Sequence, residues 1–219
     1  MAKLLLLEIG CEELPSASVY EAEAQLPVLS ERHLGAKPDQ VLVGPRRLAI
    51  LMSLEEETGE QWIKGPPVSL REKAAEGFAK RHGVSVDDLE ERDGFLGVVS
   101  QSQPLSEALP GRLDAIVRGL RFGKTMRWDD SGLRFPRPMR WTCARLDSDA
   151  VEGHGTTTQG HRFTHGEVEL PSAEAYLQTL RTAGVEPDPA ERGRLIREGL
   201  DALGEWRDPL RKLREVIHL

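Results

Sequence analysis

Eight basic side chains fall within residues 118–145, RGLRFGKTMRWDDSGLRFPRPMRWTCAR: Arg118, Arg121, Lys124, Arg127, Arg134, Arg137, Arg140 and Arg145. Only Asp129 and Asp130 oppose them there, yet the whole chain carries a net charge of −7. An acidic protein that gathers its positive charge in one stretch has a polarised field, and such a field usually faces an anion. Phe122, Trp128, Phe135 and Trp141 lie between the charges and are four of the chain's eleven aromatics. Cations for phosphates and flat rings for unstacked bases are the chemistry of single-stranded or folded RNA. The competing reading is a twisted hairpin whose aromatics face the core and whose arginines face water.

Two other groups have the residue types for chemistry. Glu8, Glu12 and Glu13 bracket a strand-to-helix turn. Clustered carboxylates can do acid–base work or bind a metal, but at a helix start they also complement the dipole. His154, His161 and His165 are three of the chain's six histidines, in a glycine- and threonine-rich segment. Alternate positions on a strand share a face, so His161 and His165 can converge. Their spacing is no helical zinc pattern and no cysteine is near, so no metal site is expected. Cys11 and Cys143 are far apart, with no Cys-x-x-Cys, and read as small core or turn residues. The chain has no phosphate-binding Gly-x-x-x-x-Gly-Lys-Ser/Thr loop, no dinucleotide glycine fingerprint and no Gly-x-Ser-x-Gly elbow. No catalytic residue is assigned.

The elements that must position these groups read as α+β. At 219 residues, 39% hydrophobic and 30% charged, the chain can bury a core without staples. No apolar run approaches the ~20 residues of a membrane span, and MAKLLLLEIG is too short for a signal core, so a cytoplasmic location is expected. Residues 4–9 predict a strand with both faces apolar. Ser16 predicts a helix N-cap, with Ala17, Tyr20 and Ala24 on one face, and Pro27 is expected to kink or end that helix. Residues 41–43 and 47–54 predict strands joined at Gly44-Pro45-Arg46. Lys64-Gly65-Pro66-Pro67 is the clearest internal break. A helix over 69–82 starts at Ser69 and stops at Gly83. Asp93-Gly94 leads into a strand over 95–100. Leu113, Ile116, Val117 and Leu120 predict an amphipathic helix running into the basic stretch. Asp130-Ser131-Gly132 lies between two Met-Arg-Trp tripeptides and predicts a hairpin, while Pro136 and Pro138 rule out a regular strand over 134–140. Ser172, Asp188-Pro189 and Asp208-Pro209 start three C-terminal helices.

Read together, the motifs carry a resemblance. Glu8-Ile9-Gly10-Cys11-Glu12-Glu13-Leu14-Pro15, Gly44-Pro45-Arg46-Arg47-Leu48-Ala49, Lys64-Gly65-Pro66, Ala74-Ala75-Glu76-Gly77-Phe78-Ala79, Met126-Arg127-Trp128, Arg134-Phe135-Pro136-Arg137-Pro138 and Gly160-His161-Arg162-Phe163 occur in this order. They resemble the N-terminal region of the bacterial glycyl-tRNA synthetase beta subunit, over essentially the whole chain. Cys11 departs from the family's threonine, Pro27 interrupts a helix the family keeps regular, the 153–158 segment is shorter, and the 94–99 strand lacks the usual aromatic and lysine pattern.

The resemblance implies an α2β2 class II aminoacyl-tRNA synthetase, a glycine–tRNA ligase of translation. The alpha subunit would hold glycine, ATP and Mg, leaving no cofactor in this chain. The beta subunit would bind and position the tRNA. Mixed, largely antiparallel sheets covered by helices are expected, a B3/B4-like module as in the phenylalanyl-tRNA synthetase beta subunit. Residues 1–170 would form it, in one or two lobes with a break near 64–68. Residues 171–219 would form a helical segment leading toward an HD-type domain that the chain lacks, as an N-terminal fragment or a short stand-alone relative. The RNA-facing candidates are Arg46, Arg47, Lys124, Arg127, Arg137, Arg140, His161 and Arg162. Trans-editing deacylation of mischarged tRNA, and an assembly role contacting the alpha subunit without RNA, are the alternatives.

Overall fold

The structure, a computed structural model, describes residues 2–55, 60–101 and 104–218. In chain order its elements are β1 (Ala2–Cys11), α1 (Ser16–Leu34), β2 (Gln40–Gly44), β3 (Arg47–Glu55), β4 (Glu60–Pro67), α2 (Arg71–His82), β5 (Glu90–Arg92), β6 (Phe95–Gln101), α3 (Leu105–Gly119), β7 (Met126–Arg127), β8 (Arg134–Phe135), β9 (Met139–Leu146), β10 (Asp149–Ala150), β11 (Thr157–Gln159), β12 (Glu167–Glu169), α4 (Tyr176–Thr182), α5 (Pro189–Leu203) and α6 (Leu213–Val216). This is an α+β fold with antiparallel sheets and a helical C-terminal segment. Two compact units divide it: residues 1–55 with 108–219, and residues 56–107. The divisions fall at 55/56 and 107/108. Lys64-Gly65-Pro66-Pro67 closes β4, bulged against β6 between Lys64 and Pro67.

The first unit is built on a five-stranded antiparallel sheet in the order β10-β9-β1-β3-β2. The hydrophobic run of β1 puts that strand in the interior, paired on both edges. Leu5, Leu7 and Ile9 oppose Met52, Ile50 and Leu48 of β3 and are fully buried. The alternate row, Leu6 and Glu8 with Ala49 and Leu51, faces the other way. There Tyr176 and Leu180 of α4 join Leu6, Ala49, Leu51 and Cys143 in one core. The C-terminal segment thus contributes core side chains to the first unit.

Local chemistry explains most boundaries and corrects several expectations: α2 starts at Arg71, not at Ser69, and α6 at Leu213, not at Asp208-Pro209. The α1 helix begins at Ser16, after Pro15, with no side-chain cap. It also runs unbroken through Pro27 to the left-handed Gly35. Its buried stripe is Val19, Ala22, Leu26 and Leu29, not Ala17, Tyr20 and Ala24, because the bulky aliphatics gain more from burial than alanines do. Asp188 caps α5 as expected, accepting from the Ala190 and Glu191 amides, with Pro189 first in the helix. The β7–β8 hairpin forms around Gly132, and β9 starts after Pro138.

The second unit is a three-stranded sheet, β4-β6-β5, packed on α2. Ala75 and Ala79 bury against Leu96 and Val98. Ser85 and Asp88 form a capping box on a short 3-10 turn, and Gly83 ends α2 in the left-handed conformation.

One glycine in the first unit is fixed by close approach. A Cβ on Gly10 would lie 1.9 Å from the Trp141 ring, so the indole packs directly on the β1 backbone. Gly10→Ala must expel that ring and is expected to cost about 1–3 kcal/mol. Urea unfolding checks it, and a loss below 0.5 kcal/mol would contradict the packing.

Candidate functional site

Glu8 is a charged residue in the middle of a buried strand, 0% exposed. Its carboxylate is saturated by donors from four other parts of the chain. Trp141 Nε1 and Thr158 Oγ1 donate to Oε1 at 2.5 and 2.6 Å. The Tyr176 hydroxyl donates to Oε2, and Arg47 Nη1 lies 3.5 Å from the same oxygen. A carboxylate has about four lone-pair sites, and all are used. Arg47 in turn donates from Nη2 to the Gln159 carbonyl at 2.6 Å. The knot ties β1, β3, β9, β11 and α4 together. Burial, reinforced by the Glu8 charge, pushes the Tyr176 hydroxyl pKa well above the ordinary tyrosine range.

Arg47 is therefore spoken for: it is 7% exposed and turned into the core, so the RNA-facing role expected of it is replaced by a structural one. Its neighbour Arg46 sits in the β2–β3 turn, half-buried, with Nε buried and unpartnered. Arg140 and Arg162 meet at the carboxylates that follow β1. Arg140 Nε is 3.5 Å from Glu12, and Arg162 is 3.7 Å from Glu12 and 2.7 Å from Glu13. Glu12 and Glu13 thus orient arginines. Lys124 and Arg137 are exposed and pair with no carboxylate among the described residues. Arg137 bonds only the adjacent Pro136 carbonyl. Arg127 is exposed and held within its own hairpin by Asp130 at 3.0 Å and by the Asp129 carbonyl.

The basic stretch resolves cleanly. Arg118, Arg121, Lys124, Arg127, Arg134, Arg137 and Arg140 are exposed. Arg145 alone is buried, bonded to the Leu170 carbonyl and Glu169. Of the aromatics, Phe135 is buried against half-buried Phe122, while Trp128 is 39% exposed and donates from Nε1 to the Phe135 carbonyl at 2.9 Å. Rings hold the hairpin and charges face water.

A cavity of about 520 Å³ opens in the first unit beside Arg46, lined also by His161, Arg162, Phe163, Leu195 and Val216. His161 and His165 do converge, each placing Nδ1 about 3 Å from Thr164 Oγ1, at 3.0 and 2.9 Å. His154 lies apart; burial lowers its pKa. No group of three or more His, Cys, Asp or Glu able to hold a metal occurs among the described residues. Burial lifts both thiols, Cys11 and Cys143, to about 12, which removes them as nucleophiles. Sequence reasoning missed Thr158, Tyr176 and Arg192, each of which acts through partners distant in the chain. Phe163 was in view as part of a motif, but nothing in that motif signals its exposure of 86%.

Comparison with known proteins bears on this arrangement. The family model described as glycyl-tRNA synthetase beta subunit matches residues 5–215. The chain is 34% identical to the glycine–tRNA ligase beta subunit of Ligilactobacillus salivarius over 93% of its own length and 33% of the relative's. It is 34% identical to that of Acaryochloris marina over 90% and 32%, and 28% identical to that of Thermotoga maritima over 90% and 33%. The chain spans about a third of the length of these curated relatives. No helix among the described residues is long and apolar enough to cross a membrane.

The knot makes an ordered prediction. Glu8→Leu strands a buried guanidinium and three further donors, and is expected to cost about 3–5 kcal/mol. Arg47→Met leaves the carboxyl group with three neutral donors and is expected to cost less. Chemical denaturation of both variants checks the order, and a larger loss in Arg47→Met would refute it.

Proposed function

The chain belongs to the glycyl-tRNA synthetase beta subunit family, and from that premise we propose that it is a tRNA-binding and positioning region with no active site of its own. Its role would be to support attachment of glycine to tRNA in the cytoplasm. The reaction, with ATP and Mg, would sit on an alpha subunit in an α2β2 assembly. One observation carries this reading: seven of the eight basic residues in 118–145 are exposed in a chain of net charge −7. A surface that concentrates cations raises the local concentration of anions and steers an anionic partner toward it. The phosphate backbone is such a partner, and arginine binds it through paired hydrogen bonds.

Lys124, Arg127, Arg134 and Arg137 form the proposed contact on and around the β7–β8 hairpin. The hairpin suits the task because Phe135 and the Trp128 indole hold it and leave Lys124 and Arg137 without a carboxylate partner among the described residues. The chemistry of an editing hydrolase finds less support: the Cys thiols are locked in their neutral form, and Thr164 with its two histidines sits on an exposed turn.

The C-terminal helices favour a second contact. Leu203 at the end of α5 and Leu210 beyond it are 87% and 76% exposed. Apolar side chains this open suit a protein partner, and the alpha subunit is the one we propose. Leu203→Asp with Leu210→Asp should abolish co-purification of this chain with the alpha subunit and leave RNA binding intact; retained co-purification refutes that contact.

Lys124→Glu with Arg137→Glu should weaken binding to glycine tRNA at least tenfold. The log–log salt slope should fall by roughly 0.9 per lost phosphate contact. Gel shifts at two salt concentrations read both quantities. Equal affinity of the variant and the parent chain, with matched circular dichroism, would sink the tRNA reading.

A further inference from the structure

We propose that the cavity beside Arg46 is a pocket for one unpaired nucleotide of a bound RNA, an inference that rests on the RNA-binding reading above. The cavity, about 520 Å³, is within the range of small-molecule sites. Four arginines reach its walls against two glutamates. Arg47 is neutralised by Glu8, and Arg162 is shared with Glu12 and Glu13. Arg46 has a buried Nε with no partner and makes no ion pair among the described residues. Arg192 donates to the carbonyls of Val43, Glu186, Pro187 and Ile217, with the Glu186 and Asp188 carboxylates acting on it. Arg46 is thus the cation left without a partner in a partly buried site, and it calls for an anion.

Apart from the glutamates and His161, the rest of the lining is mainly apolar, Pro45, Val185, Ile196 and Ile217 among it. Phe163 stands at the rim, 86% exposed, with the Arg162 guanidinium 5.9 Å and the His161 ring 6.1 Å from its ring centre. Leu195 and Val216 complete the wall. An open aromatic on the rim of a cavity that also holds Arg46 matches a phosphate joined to a planar base, and base–aromatic stacking tolerates any base. A paired base cannot enter, since its faces are covered by its neighbours, so the pocket selects single-stranded nucleotides.

Two probes separate this pocket from the hairpin surface: a five-nucleotide single-stranded RNA and a blunt RNA hairpin, each titrated into the chain by calorimetry. Phe163→Ala removes an exposed side chain and cannot unfold the protein by cavity formation. It is expected to weaken the single strand about tenfold and leave the blunt hairpin unchanged. Arg46→Gln should weaken the single strand and lower its salt slope by roughly 0.7, one phosphate on a single strand. Single-strand affinity that is absent from the parent chain, or unaltered in both variants, overturns the pocket whatever the hairpin does. Single-strand binding lost in Phe163→Ala while the hairpin fails to bind the parent chain would support the pocket and refute the phosphate contact proposed on β7–β8.

Discussion

The carboxylate of Glu8 is the constraint on which the first unit depends. A charge in the centre of a five-stranded sheet is costly to bury unless every lone pair is met. Here the donors come from residues 47, 141, 158 and 176, so satisfying one group requires the sheet, the β11–β12 arm and α4 to be in place together. An apolar residue at position 8 would permit many arrangements of those parts; Glu8 permits one. The packing of Trp141 on Gly10 adds a steric version of the same demand, because indole and carboxylate can meet only where the strand has no side chain.

That constraint accounts for what was legible in the sequence. The strands β1 and β3 were readable because their buried rows are apolar but for Glu8 and Arg47, and the helix start at Asp188 because its cap is local. Glu8 was visible as a carboxylate beside a turn, but its saturation was not. Thr158 and Tyr176 stand 150 and 168 residues away, and no local pattern reports a hydrogen bond over that separation. Arg46 and Arg47 show the limit sharply. Adjacent residues in a turn and a strand start point in different directions, so identical side chains took different roles, Arg47 paired with buried Glu8 and Arg46 left half-buried without an ion pair among the described residues. The rule that proline breaks a helix failed at Pro27 because tertiary burial of Val19, Ala22, Leu26 and Leu29 outweighs one lost backbone bond.

The same sorting of interior from surface shaped the basic stretch. Sequence alone left it between an aromatic hairpin and an RNA-binding strip; the structure shows a hairpin whose cations are exposed. Phe122, Phe135 and Trp128 hold the hairpin through an edge-to-face contact and an indole-to-carbonyl bond. Most of the exposed cations make only solvent-facing ion pairs or local bonds, such as Arg118 to Asp114 and Arg134 to Thr125. Lys124 and Arg137 are the clearest cases, whereas Arg145, on the neighbouring strand, is consumed by Leu170 and Glu169. Charge content therefore overstates a nucleic-acid surface until the buried cations are taken out of it.

The exposed pairs at Glu12 and Glu13 refine that argument. Arg140 and Arg162 are held by carboxylates in contact with solvent, where such pairs are worth about 0–1 kcal/mol. Side chains tied this weakly are ordered without being committed. A phosphate offering paired, charge-assisted bonds can take over a guanidinium from Glu13, and the loss of one weak ion pair subtracts little from the new contact. The acidic residues near the arginines are thus compatible with an anionic partner. They hold the cations in extended positions when it is absent, and so reduce the entropy that binding must supply.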